Sequence, residues 1–527
     1  MINLTDLKLG FSDAENYHRR ENKTFFNTVF VKNRYLNQLL EPNRFFLMGD
    51  KGTGKTAYAV FLSNNEYQNT ISDIKYIRET DYEKFIHLKE GEHLQLSDYV
   101  SIWKVILLLL ISNTIKKSEL DENAFTKNKK FNSIKKAIDE YYHHAFAPEV
   151  TNVLNFVENS KEAAEIVFKH LKIAGEMNSG ISFQESKFQT NLMFIQRQFE
   201  ESLRNIKLTN NHILFIDGID IRPHGIEYKN YLECIKGLTN AVWSLNNDFF
   251  PSIRDSKGRF KIVLLLRPDI FISIGLQNTT NKIRDNAIYL DWRTTYPTYA
   301  DSLLFEVSDN LLAAQQKNSS DKGIVWNSYL PWQRKSTNEN REYDGSFISF
   351  LRFSYSRPRD IITMLQILHE EHDIKNLLNI QEFDISIFEG HQYRNKLSEY
   401  YMGSIRDQIS FYYTNEDYEF FLKFFQYLNG KTEFSYQEYA KAYNKFIDNI
   451  LEYHSTVPEF SDNEDKFLQF LYDINILCYI EYGLENPYIR WCYRERDISN
   501  INPKVKIGVF YRIHPALQKA LNVGMDA

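Results

Sequence analysis

An α/β fold built on a parallel sheet is what this sequence predicts, on three observations. A glycine-rich stretch, Gly49-Asp50-Lys51-Gly52-Thr53-Gly54-Lys55-Thr56, follows the apolar run Phe45 to Met48 and precedes a helical pattern that opens at Ala57. Two further apolar runs, Ile213 to Ile216 and Ile262 to Leu266, stop abruptly at charged residues, Asp217 and Arg267. Between them Tyr231 to Leu245 carries helical spacing, so strands and helices alternate as they do when crossovers cover a parallel sheet.

The glycine-rich stretch satisfies the pattern GxxxxGK[ST] at every required position. Glycines let the backbone wrap so that successive N–H groups point at phosphate oxygens, and a lysine there brings positive charge to the β and γ phosphates. On this pattern residues Gly49 to Ala57 cradle a nucleotide, Lys55 neutralises phosphate, and Thr56 offers its hydroxyl to Mg²⁺. The helix starting at Ala57 adds the positive end of its dipole.

A sheet that binds a triphosphate also needs an acidic residue at a strand end. The stretch His212 to Asp217 supplies one, since a continuous apolar run marks a strand buried on both faces and Asp217 lies at its carboxyl end. A third strand is expected over Phe260 to Leu266 and a fourth over Ala287 to Leu290. About 160 residues separate the loop from Asp217, against the dozen or so that a crossover needs, so most of that stretch is an insertion. Tyr99 to Ile115, Phe131 to Tyr142, Lys161 to Ile173 and Phe188 to Ile206 lack proline and repeat apolar residues at helical spacing. Asn318 to Asn340 is expected to be irregular, and helices resume at Phe347 to Phe353 and Arg359 to His369. Near the end, helices over Asp417 to Leu428, Phe434 to Tyr453 and Asp462 to Ile474 precede strands over Ile476 to Glu481, Ile489 to Asp497 and Val509 to Ile513, and a short helix closes at Pro515 to Leu521. Three helices followed by a β-ribbon describe a winged helix.

Composition bounds the alternatives. At 527 residues the chain needs more than one core, and 63 basic against 69 acidic residues leave a net charge of −6. That balance argues against bulk attraction to nucleic acid while allowing a local basic patch. The 34 Tyr and 39 Phe, against 20 Gly and 12 Pro, fit a helix-rich architecture with aromatic packing. Cys234, Cys478 and Cys492 form no CxxC pair, which suggests neither a disulfide framework nor a zinc site. The first twenty residues hold no apolar segment, and the run Val105 to Ile111 is far short of a membrane span and reads as a buried helix after Trp103. A cytoplasmic protein without a membrane segment is expected.

Three residues compete for the chemistry. Position 218, directly after Asp217, is glycine, so the nearest carboxylate for orienting an attacking water is Asp220, which could equally cap a helix or pair with Arg222. Arg267, just past the third strand, either reports a γ-phosphate or is a surface arginine before a proline turn. Arg359, in Ser356-Arg357-Pro358-Arg359-Asp360, either reaches a nucleotide from a lid or belongs to a Pro-initiated helix with Arg–Asp pairing.

Taken together, GDKGTGKT, ILFIDGID, LLLRPD and SRPRDII resemble the STAND branch of AAA-like P-loop ATPases, and still more closely a bacterial group of P-loop ATPases with GxKGTGKT and GRPRD motifs. The resemblance runs from roughly residue 40 to the end and leaves the insertion unaccounted for. It implies a P-loop ATPase core over residues 1–293, interrupted by the helical insertion that the apolar spacing places at about 95–206, then a helical lid over 294–400 and a winged-helix domain over 401–527. It implies ATP and Mg²⁺ as ligands, with Lys55 and Thr56 on phosphate and metal, Asp217 on Mg²⁺ through water, Asp220 in the acidic catalytic position, Arg267 as sensor, and Pro358 and Arg359 as the lid contact. Ser356 stands where the lid motif usually has glycine, and Asp220 replaces the more usual glutamate.

The expected function is an ATP-binding and hydrolysing switch that couples nucleotide state to oligomerisation or to control of a partner, with bacterial antiviral defence as a setting the resemblance implies. A homo-oligomer is expected, with Arg254 and Arg284 as candidate donors to a neighbouring site, and a separate effector chain as partner. The alternative is a DNA-binding ATPase of initiator or loader type. Arg490, Arg494, Arg496, Lys504, Lys506 and Arg512 give the ribbon a basic bias, but the presumptive recognition helix opens Asp462-Asn463-Glu464-Asp465, which would repel phosphate and favours a protein-packing role.

Overall fold

The computed structural model describes residues 1–77, 96–112, 114–116, 132, 193, 196–197, 199–222, 226–276, 279–318, 320–335, 343–374, 381–453, 457–483 and 487–524. Its chain divides into two compact units, one of Asn33–Asp50 and Lys55–Leu290, the other of Met1–Lys32, Lys51–Gly54 and Asp291–Ala527.

The first unit is an α/β layer. Strands β1 (Phe46–Met48), β2 (Thr70–Tyr76), β3 (Asn211–Asp217), β4 (Phe260–Leu266) and β5 (Ala287–Tyr289) form a five-stranded sheet in the order β2-β3-β4-β1-β5, parallel throughout. β4 is buried along its whole length and β3 from His212 to Ile216, as their unbroken apolar runs require of strands covered on both faces. Met48 is level with Leu266 and with Tyr289, so neighbouring strands end together on one edge. β2 was not expected. Its sequence Thr-Ile-Ser-Asp-Ile-Lys-Tyr has no apolar run because it lies at an edge of the described sheet and buries chiefly Thr70 and Ile74.

From β1 the Lys55–Asn64 helix leads to β2 at one edge, whereas from β4 the Pro268–Ser273 and Thr279–Asn286 helices lead past β1 to β5 at the other. Adjacent strands whose crossovers leave in opposite directions open a crevice at their carboxyl ends, the usual ligand position in such sheets. On this crevice fall the end of β1, with its glycine-rich loop, and Arg267.

The run Val105 to Ile111 lies in a buried helix, Leu96–Ser112. That helix packs on Tyr228–Ser244 so closely that a Cβ on Gly237 would sit 2.5 Å from the Tyr99 Cβ, and Trp103 Nε1 donates to the Cys234 carbonyl at 3.2 Å. Of the other predicted insertion helices, Phe131 to Tyr142 and Lys161 to Ile173 lie outside the described residues but for Asn132, and residues 199–204 of the last one are helical.

The second unit is mainly helical. An N-terminal segment lies along the Pro358–Ile374 helix, with Gln366 donating to the Gly10 carbonyl at 2.8 Å. Phe305, Trp326, Phe347 and Phe350 meet edge to face at 4.8–6.1 Å, contacts worth about 0.5–1.5 kcal/mol each beyond burial. Residues 320–335, within the stretch expected to be irregular, contain the helix Ile324–Tyr329 and strand β6 (Gln333–Lys335), which pairs with β7 (Tyr343–Gly345). Towards the end, β8 (Glu433–Ser435) precedes the helices Tyr436–Tyr453 and Glu464–Asp473. β9 (Leu477–Tyr482), β10 (Pro487–Arg490) and β11 (Phe510–Ile513) join β8 in an antiparallel sheet of order β10-β9-β11-β8. The expected strand Ile489 to Asp497 is corrected here: it stops at Arg490, and Cys492–Glu495 is a helical turn, because Cys492 and Tyr493 both turn into the core. Among the described residues no helix is long and apolar enough to cross a membrane.

One buried charge tests the first unit. Lys261, in β4, is 4% exposed and donates to the carbonyls of Leu39 and Glu41 at the end of the Arg34–Gln38 helix. Burial pulls its ammonium down to about 7, with Glu41 opposing. Between about pH 7 and the usual lysine range the unfolded chain therefore binds more protons than the folded one, so stability from this group rises with pH across that window. Urea midpoints should increase from pH 7 to pH 9.5 in the wild type, and this component of the rise should vanish in Lys261→Met.

Candidate functional site

The glycine-rich loop is held by its carbonyls. Lys55, 8% exposed, donates from Nζ to the Gly49 carbonyl at 2.8 Å and to that of Asp50 at 3.2 Å. The next three residues belong to the second unit, and all three of their carbonyls accept within it. Lys51 O takes Arg357 Nη1 at 2.8 Å, Gly52 O takes the Arg359 backbone N–H at 3.3 Å, and Thr53 O takes Trp292 Nε1 at 2.9 Å. Gly52 and Gly54 both have φ near +90°, a conformation that side chains resist, and a Cβ on Gly52 would stand 3.1 Å from the Arg359 Cβ. Lys51 itself pairs with Asp407. The helix behind the loop begins at Lys55, two residues before the expected Ala57, which lies in its first turn.

Thr56 and Asp217, 161 positions apart, meet directly, Thr56 Oγ1 donating to Asp217 Oδ2 at 2.6 Å. Asp217 Oδ1 accepts from the Gly218 N–H at 2.8 Å, and its carbonyl accepts from Ile77 N at 2.8 Å. Gly218 is obligatory: its φ is +93°, and a Cβ there would fall 2.3 Å from the Ile77 carbonyl oxygen. The glutamate that might follow a strand-terminal aspartate is therefore sterically excluded at this position.

Burial pushes the Asp217 carboxyl up to about 6, Asp220 adds to the shift, and Thr56, Lys55 and the Gly218 N–H oppose it. Burial likewise holds Lys55 below the usual lysine range, against the pull of Asp220 and Asp217 and with a push from Arg267. Asp220 is half-buried and acts on both Lys55 and Asp217, while Arg222 donates to the Ile226 carbonyl. Arg267 is 4% exposed at the end of β4 and is bound by Asp269 through Nε at 3.1 Å and through Nη2. It is a buried residue and not a surface arginine. Lys55, Thr56, Asp217, Asp220 and Arg267 thus share one sheet edge.

Arg359 belongs to the second unit. Its Nε donates to the Ser12 carbonyl at 2.8 Å, and its backbone N–H to the Gly52 carbonyl. The arginine that does reach the loop with its side chain is Arg357, which sequence reasoning passed over. Asp360, fully buried, grips it from Nε and Nη2 at 2.8–3.1 Å and accepts further from the Tyr355 N–H and the Tyr400 hydroxyl. Trp292 was also passed over; its place directly after the fourth strand was the only signal. Arg254 and Arg284 are both exposed. Among the described residues no group of three or more His, Cys, Asp or Glu side chains is set to hold a metal.

Compared with family models, curated proteins and solved structures, the chain matches none. What can be said of the site therefore comes from its own geometry. It offers a loop whose carbonyls are turned to protein donors, a buried lysine, a hydroxyl–carboxylate pair, a second carboxylate and a buried arginine. That set suits an anionic ligand accompanied by a hard cation.

Ser356 has φ +52°, which accounts for a glycine preference at this position. Ser356→Gly should keep or raise the thermal midpoint, since relief of about 1 kcal/mol of left-handed strain outweighs most of the entropy glycine adds to the unfolded chain. Ser356→Val should lower stability by on the order of 2 kcal/mol, as read from denaturant titrations.

Proposed function

We propose that this chain binds and hydrolyses ATP as a regulatory switch, coupling nucleotide state to oligomerisation or to control of a partner chain. The observation that carries the proposal is the 2.6 Å bond between Thr56 and Asp217 beside Lys55, which unites two distant motifs at the carboxyl edge of a parallel sheet. In this reading the loop N–H groups and Lys55 bind the phosphates, and Thr56 and Asp217 hold Mg²⁺. The fit is chemical: a hydroxyl and one carboxylate are what a Mg²⁺ ion that also binds phosphate oxygens asks of a protein. Bound there, Mg²⁺ would supply charge neutralisation on the β and γ oxygens.

Asp220 is the residue left to orient the attacking water, because Gly218 admits no side chain. Arg267 is placed to answer charge at Lys55, on whose proton affinity it already acts. Arg359 Nε is engaged by the Ser12 carbonyl, so we assign this residue a lesser part. The resemblance adds bacterial antiviral defence as a setting, with oligomerisation and a separate effector as its usual means.

A winged helix is our reading of the C-terminal module, supported by its order helix, strand, two helices and strands. Its charges support a protein-facing role over the alternative of DNA binding. Arg490 pairs with Glu481 and Glu495, Lys506 with Glu481, and Arg512 with Glu433. Arg496 is 6% exposed and Arg494 lies over Tyr296 and Tyr493, so neither is available to a phosphate backbone.

Size analysis with ATP, ADP or no nucleotide should show an ATP-dependent change in assembly for the wild type that is lost in Lys55→Ala; an assembly state indifferent to nucleotide would sink the switch. Asp220→Asn should retain ATP affinity while turnover falls on the order of a hundredfold. The full chain should show no salt-dependent retention on duplex DNA, and strong retention would restore the loader alternative.

A further inference from the structure

A peptide group carries its N–H and C=O on opposite sides, so a loop can aim its N–H groups inward only if its carbonyls are satisfied outside. In the stretch Gly49 to Thr53 all five carbonyls accept a hydrogen bond, and the donors fall into two sets. Lys55 serves the first two, Gly49 and Asp50. The peptides of Lys51, Gly52 and Thr53 differ in that each has a glycine of positive φ, Gly52 or Gly54, on one side of it. Glycine rotates freely about φ and ψ, so these three are the peptides that flip most cheaply if nothing holds them.

What holds them is stiff. Trp292 is 7% exposed, and its indole N–H has a single direction in which to donate. Arg357 is fixed by Asp360, which is itself filled by Tyr355 and Tyr400. The Arg359 N–H is fixed by the helix that it opens behind Pro358.

We infer that Trp292 and Arg357 are positioning residues for phosphate binding: they hold the Lys51 and Thr53 carbonyls outward and so keep the N–H groups of the loop turned toward a polyphosphate. They touch no phosphate themselves. This rests on the nucleotide reading above for its ligand, while the claim about peptide orientation stands on the geometry alone.

The test uses the full chain and Trp292→Phe, which removes the N–H and keeps a ring, with Arg357→Lys as a second variant should the first fail to fold. The probes are MgATP and inorganic tripolyphosphate. Affinity for both should fall about tenfold, the weight of one buried hydrogen bond. Amide hydrogen exchange should quicken at residues 51–56 and stay unchanged in β4. Gly237→Ala, destabilised at a helix contact away from the loop, serves as the control and should keep the wild-type affinity. Wild-type affinity and unchanged loop exchange in Trp292→Phe overturn the inference, as does an equal loss of affinity in Gly237→Ala, which would mark the effect as general destabilisation. Should the wild type bind neither probe, the nucleotide reading fails, and loop exchange alone decides whether Trp292 sets the peptide orientation.

Discussion

Everything at this site depends on one backbone constraint, that the carbonyls of Gly49 to Thr53 all have somewhere to go. A tight loop with positive φ at Gly52 and Gly54 has no partners of its own kind, since it belongs to neither strand nor helix. Left to water, its peptides would sample both orientations. Here Lys55 takes two carbonyls, and Trp292, Arg357 and the Arg359 N–H take the remaining three. The lysine proposed to meet phosphate is thus also part of what shapes the loop. Because Lys55 is buried and its proton affinity lowered, an anion beside it gains more than it would from a solvated lysine.

How far the fold could be read from the sequence follows from where its order originates. β1, β3 and β4 were legible because strands buried on both faces must be apolar throughout, and β5, although at an edge, because it buries Ala287 and Ile288. β2 was not, because an edge strand half in contact with solvent carries Ser72, Asp73 and Lys75 without penalty. The Ile324–Tyr329 helix escaped for a different reason. Its N-terminal N–H groups, Gly323 and Trp326, are satisfied by the carboxylate of Asp309, which lies in the preceding helix, 14 residues before Gly323. A cap supplied by tertiary structure leaves no local signature. The turn at Cys492–Glu495 was hidden by alternation of aromatic and basic residues that imitates a strand.

The same distinction separates the site residues. Lys55, Thr56 and Asp217 sit in local patterns dictated by what they would bind, and each is found on the expected sheet edge. Trp292 and Arg357 act on the loop from outside it, and nothing in their own neighbourhoods says so. Between the two arginines that flank Pro358, the backbone decides: positive φ at Ser356 turns Arg357 toward Asp360 and the Lys51 carbonyl, and leaves Arg359 facing Ser12. Sequence spacing is symmetrical about the proline and could not have made that choice.

Charge gives the last step. At the end of β4 Lys55 and Arg267 stand with Asp217, Asp220 and Asp269, and Asp50 adds a further carboxylate that acts on Lys55. Asp269 pairs with Arg267, which leaves one ammonium among the other carboxylates in a partly dry environment. Two like charges sharing such a place resist joint ionisation, and Asp217 shows it by rising to about 6, with Asp220 second only to burial as the cause. A proton at Asp217 would quiet the repulsion but would remove the charge by which it would hold a cation. In the nucleotide reading proposed above, a divalent ion at Thr56 and Asp217 would relieve the same repulsion while letting both carboxylates stay ionised. In that reading Asp220, beyond a glycine that cannot be otherwise, is the carboxylate we propose to take hold of a water.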